Sequence, residues 1–134
     1  MKGWHSRDFK ASNVLLDAMF NPKLSNFGLA REGPSTGDTH GSTAVMGTYG
    51  YAAPDYVENG HLTSKSNIWS FGVVLFEILM GRLSMERNRP RHEHKLLEWL
   101  KQCKKFNMIM EPRLENQYSI KGAKKVTKLA YSCL

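Results

Sequence analysis

The most apolar run of the chain, from Ile68 to Met80, limits the folds that the sequence can adopt. Three residues interrupt this run: Ser70, Gly72 and Glu77. Apolar residues on nearly every face predict a helix that is buried all round, and about thirteen residues are too few to cross a bilayer. The sequence therefore predicts a helix at the centre of a globular core, with Thr63 or Ser64 as its N-cap.

A polar motif near the start of the sequence is the second constraint. Arg7 and Asp8 are followed by Lys10 and Asn13, in the pattern R-D-x-K-x-x-N, and Asn26-Phe27-Gly28 begins thirteen residues after Asn13. This spacing matches the catalytic loop and the D-F-G site of protein kinases. A lone Arg-Asp pair would carry no information, so the interpretation depends on what lies in register with the motif.

Further segments do lie in register. They are Val14-Leu15-Leu16 and Lys23-Leu24-Ser25 around a turn at Asn21-Pro22, then Gly47-Thr48-Tyr49-Gly50-Tyr51, Ala53-Pro54-Asp55 and Asn67-Ile68-Trp69-Ser70-Phe71-Gly72. In order and gaps they resemble plant receptor-like cytoplasmic kinases, a serine/threonine family, from about residue 6 to the last residue. The resemblance implies an α+β, mainly α fold: a kinase C-lobe with a short β hairpin, an activation segment and then helices.

The resemblance also implies the domain organisation. Residues 1–134 would form a partial kinase domain, with the catalytic loop and N-F-G site at 6–28, the activation segment at 29–55 and a helical subdomain at 62–134. A two-lobed kinase needs about twice this length, and no G-x-G-x-x-G loop or V-A-I-K-like lysine precedes Arg7. We therefore expect a C-lobe truncated at both ends, with the N-lobe absent and parts of the central helix exposed.

The resemblance assigns catalytic roles to four residues. Asp8 would accept the proton of the substrate hydroxyl, Lys10 would hold the transferring phosphate of ATP, and Asn13 would supply an oxygen to a metal ion. Thr48 would bridge Asp8 and Lys10, which favours serine/threonine over tyrosine specificity. The alternative is that the three loop residues are ordinary polar groups that satisfy their own backbone.

Asn26 is the strongest departure from an active kinase. The aspartate of the family at this place binds the magnesium ion that bridges the ATP phosphates, whereas an amide oxygen can coordinate the ion but adds no charge. Losing a comparable electrostatic contact costs about 3 kcal/mol or more, roughly a hundredfold in rate. The family implies ATP and Mg²⁺ as cofactors, and we expect this chain to bind them weakly or not at all.

The predicted activation segment contains candidate regulatory residues. Gly, Ser, Thr and Asp dominate from Arg31 to Met46, which is typical of a loop. By resemblance, Ser42 and Thr43 are phosphorylation positions, and Arg7 would pair with a phosphate on this segment. Ordinary loop hydroxyls and a surface arginine are the alternatives.

Net charge and cysteine content limit the possible binding partners and the cellular compartment of the protein. A formal net charge of +7 would suit nucleic acid or an anionic membrane face, but the basic residues are scattered and no nucleic-acid motif is present. A solvated basic face and no nucleic-acid partner are therefore expected. Cys103 and Cys133 lack C-x-x-C spacing, which suggests free thiols. Because we find neither a signal-peptide core, a Met-Gly start nor a membrane segment, we expect a cytoplasmic protein, at the plasma membrane face in a longer product.

Three more local predictions concern the last third of the chain. Leu96, Leu97, Trp99 and Leu100 predict a short amphipathic helix. By resemblance to the family it would contribute to a docking surface, and the alternative is that it is core. Glu111-Pro112-Arg113-Leu114 resembles the D-P-R-L turn of the family. A last helix should begin near Ile120 with Ser119 as N-cap. Its predicted apolar stripe contains Val126, Leu129, Ala130 and Cys133.

Three functions follow from these patterns. The first is ATP-dependent phosphoryl transfer to a protein serine or threonine in receptor-linked signalling. The second is a pseudokinase-like module that binds a partner kinase, a receptor or a protein substrate, and the third is a gene fragment without independent function. We expect the 134-residue chain to be catalytically inactive by itself, and the sequence does not indicate its oligomeric state.

Overall fold

The computed structural model describes residues 4–5, 9–25, 31–32, 41–42, 49–103, 106–115 and 117–134. The chain divides into two compact units, Met1–Ser70 and Phe71–Leu134. Within the described ranges, no helix combines the length and the apolar character needed to span a membrane.

Strands occur in the first unit, in three antiparallel pairs among its described residues. Strand β1 (Trp4–His5) pairs with β4 (Arg31–Glu32). Strand β5 (Gly41–Ser42) pairs with β6 (His61–Leu62). Neither of these two-residue pairs was predicted from the sequence.

The third pair is a hairpin of β2 (Val14–Leu16) and β3 (Pro22–Leu24), in which Val14 lies opposite Leu24. The predicted hairpin is thus confirmed, although its second strand begins one residue earlier than predicted. Asp17 fixes the turn, because its carboxylate accepts hydrogen bonds from the backbone N–H groups of Met19 and Asn21, both at 2.9 Å. The hydrogen bond from Asn21 N–H is the main reason why the pKa of Asp17 lies below its usual value.

Helix α1 (Pro54–Asn59) begins at a proline, whose missing N–H costs nothing at this position. It ends at Gly60, which has a φ of 68° and donates its N–H to the carbonyl of Tyr56. Tyr56 is almost completely buried in a small apolar cluster with Ala53 and Leu62. This cluster holds α1 against β6.

Helix α2 (Ser64–Met80) contains 17 residues and includes the whole apolar run. Thr63 and Ser66 exchange hydrogen bonds: Thr63 N–H donates to Ser66 Oγ at 3.1 Å, and Ser66 N–H donates to Thr63 Oγ1 at 3.4 Å. Thr63 is therefore the N-cap, and Ser64 is the first helical residue.

The prediction that this helix is buried on all sides is wrong. Val73 and Phe76 are fully buried, whereas three large apolar side chains are exposed: Ile68, Phe71 and Ile78. The three exposed positions recur on one side of the helix. Apolar composition alone did not reveal this uncovered side. Its exposure agrees with the separate expectation, drawn from the family resemblance, that parts of the helix are exposed.

The second unit has one main apolar core, to which α2, α3 (Leu96–Leu100) and α4 (Ile120–Cys133) contribute. Its buried members are Phe76, Leu79, Met80, Leu96, Leu100, Ile109, Met110, Ala123 and Ala130. The short helix predicted at 96–100 is thus confirmed, and its leucines belong to the core. The predicted turn is also confirmed, as a 3-10 helix at Pro112–Leu114.

Helices α2 and α4 approach closely at Gly72. A Cβ atom added to Gly72 would lie 2.8 Å from Cβ of Cys133 and 3.1 Å from the carbonyl oxygen of Ala130. Such a close approach admits only small side chains.

The start of α4 is predicted correctly, since Ser119 Oγ accepts a hydrogen bond from Gly122 N–H at 3.1 Å. The predicted apolar stripe is correct at Ala130 but wrong at Val126 and Leu129, which are exposed. Ala123 and Thr127 are buried instead, and the Thr127 hydroxyl is satisfied there by donating to the carbonyl of Ala123 at 2.9 Å.

Candidate functional site

The described part of the predicted catalytic loop is a short turn. Lys10 is extended, with φ of −149° and ψ of 161°, and a 3-10 helix follows at Ala11–Asn13. Asn13 N–H donates to the carbonyl of Lys10 at 3.0 Å. Asn13 is only 5% exposed, so its backbone and side chain lie inside the first unit rather than in solvent.

Ser25 fixes this turn from the other side of the hairpin. Its backbone N–H donates to the carbonyl oxygen of Asn13 at 2.7 Å, and its hydroxyl donates to the same oxygen at 3.0 Å. Ser25 directly precedes Asn26 in the sequence. The two segments that carry the predicted metal ligands are therefore joined at Asn13 and Ser25. The sequence did not indicate this contact, because the acceptor is a backbone carbonyl.

The remaining predicted site residues are only partly within the described ranges. Five of them lie outside: Arg7, Asp8, Asn26, Thr43 and Thr48. Ser42 lies in β5, where its backbone alone is described. The catalytic, metal-binding and regulatory roles assigned to these residues, and to Lys10 and Asn13, stay predictions.

A second hydrogen bond positions the segment that follows Thr48. The hydroxyl of Ser70 in α2 lies 2.7 Å from the carbonyl oxygen of Tyr51 and 3.1 Å from that of Ser66. A hydroxyl has one proton, and the shorter contact to Tyr51 is the better hydrogen bond. The carbonyl of Tyr51, the last residue of the Gly47-Thr48-Tyr49-Gly50-Tyr51 motif, is therefore tied to α2 through Ser70. Ser70 belongs to a predicted motif too, but the motif did not indicate this role.

The donor set predicted for a metal ion does not fit Mg²⁺ well. Mg²⁺ in proteins is usually held through one or two carboxylates together with substrate phosphates. Asn13 and Asn26 would offer two neutral amide oxygens. Within the described residues, no group of three or more His, Cys, Asp or Glu side chains is placed to hold a metal ion.

The turn at Ala11–Asn13, the hairpin and the helices that follow them match the predicted C-terminal lobe of a protein kinase. The family model of the protein kinase domain matches residues 2–134, so the chain belongs to the protein kinase family. Members of this family use ATP and Mg²⁺ in general.

The chain is similar to individual serine/threonine-protein kinases of plants. The chain is 61% identical over 132 residues to the serine/threonine-protein kinase PBL34 of Arabidopsis thaliana, covering 96% of this chain and 27% of that protein. It is 60% identical to PBL35 of the same plant, with the same coverage. It is 59% identical to the EPD1-interacting receptor-like cytoplasmic serine/threonine-protein kinase of Nicotiana benthamiana, covering 96% of this chain and 28% of that one.

These comparisons confirm the predicted resemblance to plant receptor-like cytoplasmic serine/threonine kinases and the predicted kinase C-lobe fold. The chain spans less than a third of the length of these relatives. A kinase-like domain is thus established for the chain.

Proposed function

We propose that the chain is the C-lobe of a serine/threonine kinase-type signalling protein whose phosphoryl-transfer activity is strongly reduced by Asn26. The observation that carries this proposal is the contact between Ser25 and Asn13. Two hydrogen bonds from Ser25 hold the carbonyl of Asn13, so the catalytic-loop turn keeps a defined geometry although a metal-binding charge is replaced by an amide.

The proposed chemistry uses residues of the loop. Phosphoryl transfer moves a phosphoryl group from ATP to a serine or threonine oxygen of a protein, and the proton of that hydroxyl passes to the Asp8 carboxylate. The Lys10 ammonium would balance negative charge on the transferring group, and Thr48 would hold Asp8 and Lys10 in register. Positioning and electrostatic stabilisation supply most of the rate in this reaction class.

Asn26 favours a second, regulatory function. A site that offers neutral amides in place of a carboxylate stabilises a dication poorly, and phosphoryl transfer depends on the balance of charge around the phosphates. A kinase fold with weak catalysis can still bind a partner kinase, a receptor or a protein substrate. We propose that such binding, at the cytoplasmic face of the plasma membrane, is the role of the chain if catalysis is too weak to matter.

The receptor-linked setting is supported by one relative, a receptor-like cytoplasmic kinase whose name states that it interacts with EPD1. That interaction belongs to the Nicotiana protein. For this chain, a protein partner in receptor signalling is a proposal that rests on sequence identity alone.

A chimeric kinase tests the catalytic part of the proposal. The segment of PBL34 that matches this chain is replaced by the chain, and phosphate incorporation into a generic protein substrate is measured with and without Asn26→Asp. We expect the chimera with Asn26 to be at least about a hundredfold slower than the Asn26→Asp chimera. Asp8→Asn in the Asn26→Asp chimera should abolish the gain, because it removes the proposed base.

Two results would contradict the proposal. Equal rates for Asn26 and Asn26→Asp would show that the amide does not limit catalysis. Full activity of the Asp8→Asn variant would show that Asp8 is not the base. If every chimera, including the Asn26→Asp chimera, is folded but inactive, the catalytic roles proposed for the loop residues are wrong. The regulatory function is then the better proposal.

A further inference from the structure

A cavity of about 560 Å³ lies in the second unit, among residues that the catalytic function does not use. This volume is within the range of sites that bind small molecules or anchoring side chains. Met80, Met110 and Trp99 form part of its apolar wall. Its charged lining consists of three arginines and two glutamates, so basic groups are in excess: Arg82, Arg89, Arg113, Glu93 and Glu111. Methionine side chains adapt to differently shaped ligands, as at other promiscuous binding surfaces.

Arg82 is the central polar group of this cavity. It is only 7% exposed, and its guanidinium carbon lies 4.6 Å from the centre of the Trp99 ring. Of its five N–H donors, one makes a hydrogen bond to a described residue, from Nη2 to the carbonyl of Glu93 at 2.8 Å. The buried Nε has no hydrogen-bond partner among the described residues and lies 3.7 Å from the Glu86 carboxylate.

A buried guanidinium is costly unless acceptors complete its hydrogen bonds. Burial is the first cause that lowers the pKa of Arg82, and the positive charge of Arg89 lowers it further, while Glu86 and Glu93 oppose both effects. An added anion in the cavity would act in the same direction as the two glutamates. The ligand class indicated by Arg82 is therefore an acid.

The other two arginines lie at more exposed positions and are already paired. Arg89 forms ion pairs with Glu86 and Glu93. Arg113 donates from Nε to Glu111 Oε1 at 2.7 Å and from Nη2 to Oε2 at 3.1 Å. The Arg89 side chain is 39% exposed and that of Arg113 is 82% exposed. Each guanidinium has five N–H donors, so those that do not face a glutamate can bind an incoming carboxylate while the ion pair stays in place.

Charge is distributed unequally along the chain and supports an acidic partner. Residues 71–134 carry 13 Lys and Arg against six Asp and Glu, whereas residues 1–70 carry six of each. The whole formal net charge of +7 therefore belongs to the unit that contains the cavity. A positive unit attracts acidic segments and speeds their association.

We propose that this cavity is a docking site for an acidic peptide segment of a partner protein. An aspartate or glutamate carboxylate of the segment binds Arg82, and a neighbouring apolar side chain lies against Trp99 and the methionines. This inference deepens the regulatory part of the proposed function by naming the chemistry of the partner. It does not involve the catalytic loop.

Fluorescence anisotropy with a labelled peptide of sequence Gly-Asp-Leu-Asp-Phe-Glu-Gly tests the proposal on the 134-residue chain. The control peptide carries Asn and Gln in place of Asp and Glu. Met108 lines the cavity and is 50% exposed, whereas Ile120 lies outside it and is 60% exposed, so glutamate at either position stays in contact with water. Met108→Glu and Ile120→Glu therefore change the net charge equally.

We expect the acidic peptide to bind, the neutral peptide to bind at least about tenfold more weakly, and Met108→Glu to weaken acidic-peptide binding by a similar factor. Ile120→Glu should change it less than about twofold, since it affects only the general field of the unit. A second pair, Arg89→Gln and Arg87→Gln, repeats the comparison within one segment, because Arg89 lines the cavity and Arg87 does not.

Four outcomes would overturn the proposal: no binding of the acidic peptide, equal binding of both peptides, equal effects of the two glutamate variants, or binding to phosphatidylserine vesicles but not to the peptide. Circular dichroism of each variant checks that it is folded. The assay contains no ATP, so its failure leaves the result of the chimeric kinase unaffected, and the reverse also holds.

Discussion

The hydroxyl oxygen of Ser70 lies 2.7 Å from the carbonyl oxygen of Tyr51, and this buried hydrogen bond joins α2 to the loop before α1. Ser70→Ala would leave a buried carbonyl without its donor, at a cost of about 1–3 kcal/mol. We expect the free energy of unfolding, measured in urea, to fall by this amount.

Ser132→Ala is the control, because the Ser132 hydroxyl also donates to a backbone carbonyl but is exposed. Water replaces that hydrogen bond, so the loss should stay within about 0.5 kcal/mol. Equal losses in the two variants would show that the hydrogen bond between Ser70 and Tyr51 contributes no more to the free energy of unfolding than an exposed one.

Two glycine-to-alanine substitutions should change stability in opposite directions. Gly72→Ala places a Cβ atom 2.8 Å from Cβ of Cys133, and this overpacking, typically about 1–3 kcal/mol, outweighs the gain in helix propensity. In Gly122→Ala the nearest atoms, both of Ser119, lie 3.4 Å away, so the variant gains about 0.5–1 kcal/mol. Thermal unfolding measures the change in stability of both variants. A stabilising Gly72→Ala substitution would contradict the close approach of α2 and α4.

The ion pair of Glu111 with Arg113 predicts a specific dependence on pH. The side-chain hydrogen bond from Arg113, followed by the hydrogen bond from its backbone N–H, lowers the pKa of Glu111 from 4.5 to about 2. Because the pKa is lower in the folded state, this carboxylate stabilises the fold fully above pH 4.5, and its contribution is lost as the pH falls from 4.5 towards 2.

Arg113→Gln tests this assignment by NMR titration of the glutamate carboxyl carbons. The pKa of Glu111 should rise, but stay below 4.5 because the backbone N–H of residue 113 still donates at 3.0 Å. Arg87→Gln removes the same charge at an exposed position and should leave the pKa of Glu111 in place. If both variants raise it equally, the general charge of the unit and not the ion pair lowers the pKa.

The exposed side of α2 predicts poor solubility. Ile78 is 64% exposed, so Ile78→Glu should raise the highest monomeric concentration, measured by light scattering, while the free energy of unfolding changes by no more than about 0.5 kcal/mol. Phe76→Glu, two residues earlier and fully buried, should unfold the unit instead. Similar damage from both substitutions would mean that Ile78 is covered in solution.

The parts of the fold that were predicted correctly depend on local signals. The hairpin around Asn21-Pro22, the caps at Thr63 and Ser119 and the short helix at 96–100 each follow from residues close in sequence. The family resemblance supplied their order.

The errors concern contacts between distant residues. The buried face of α4 contains Ala123 and Thr127 and leaves Val126 and Leu129 outside, which hydrophobicity alone cannot predict. Ser25 was likewise overlooked, since its partner is a backbone carbonyl twelve residues away and backbone acceptors leave no mark in a sequence.

The division of the chain into two units separates its tryptophans: Trp4 and Trp69 belong to Met1–Ser70, and Trp99 belongs to Phe71–Leu134. Each unit therefore has its own intrinsic fluorophore. With Trp4 and Trp69 replaced by phenylalanine, emission from Trp99 beneath the Arg82 guanidinium would follow the second unit alone, and the complementary variant would follow the first. The chain thus carries an optical means of deciding whether its two halves melt together or one after the other.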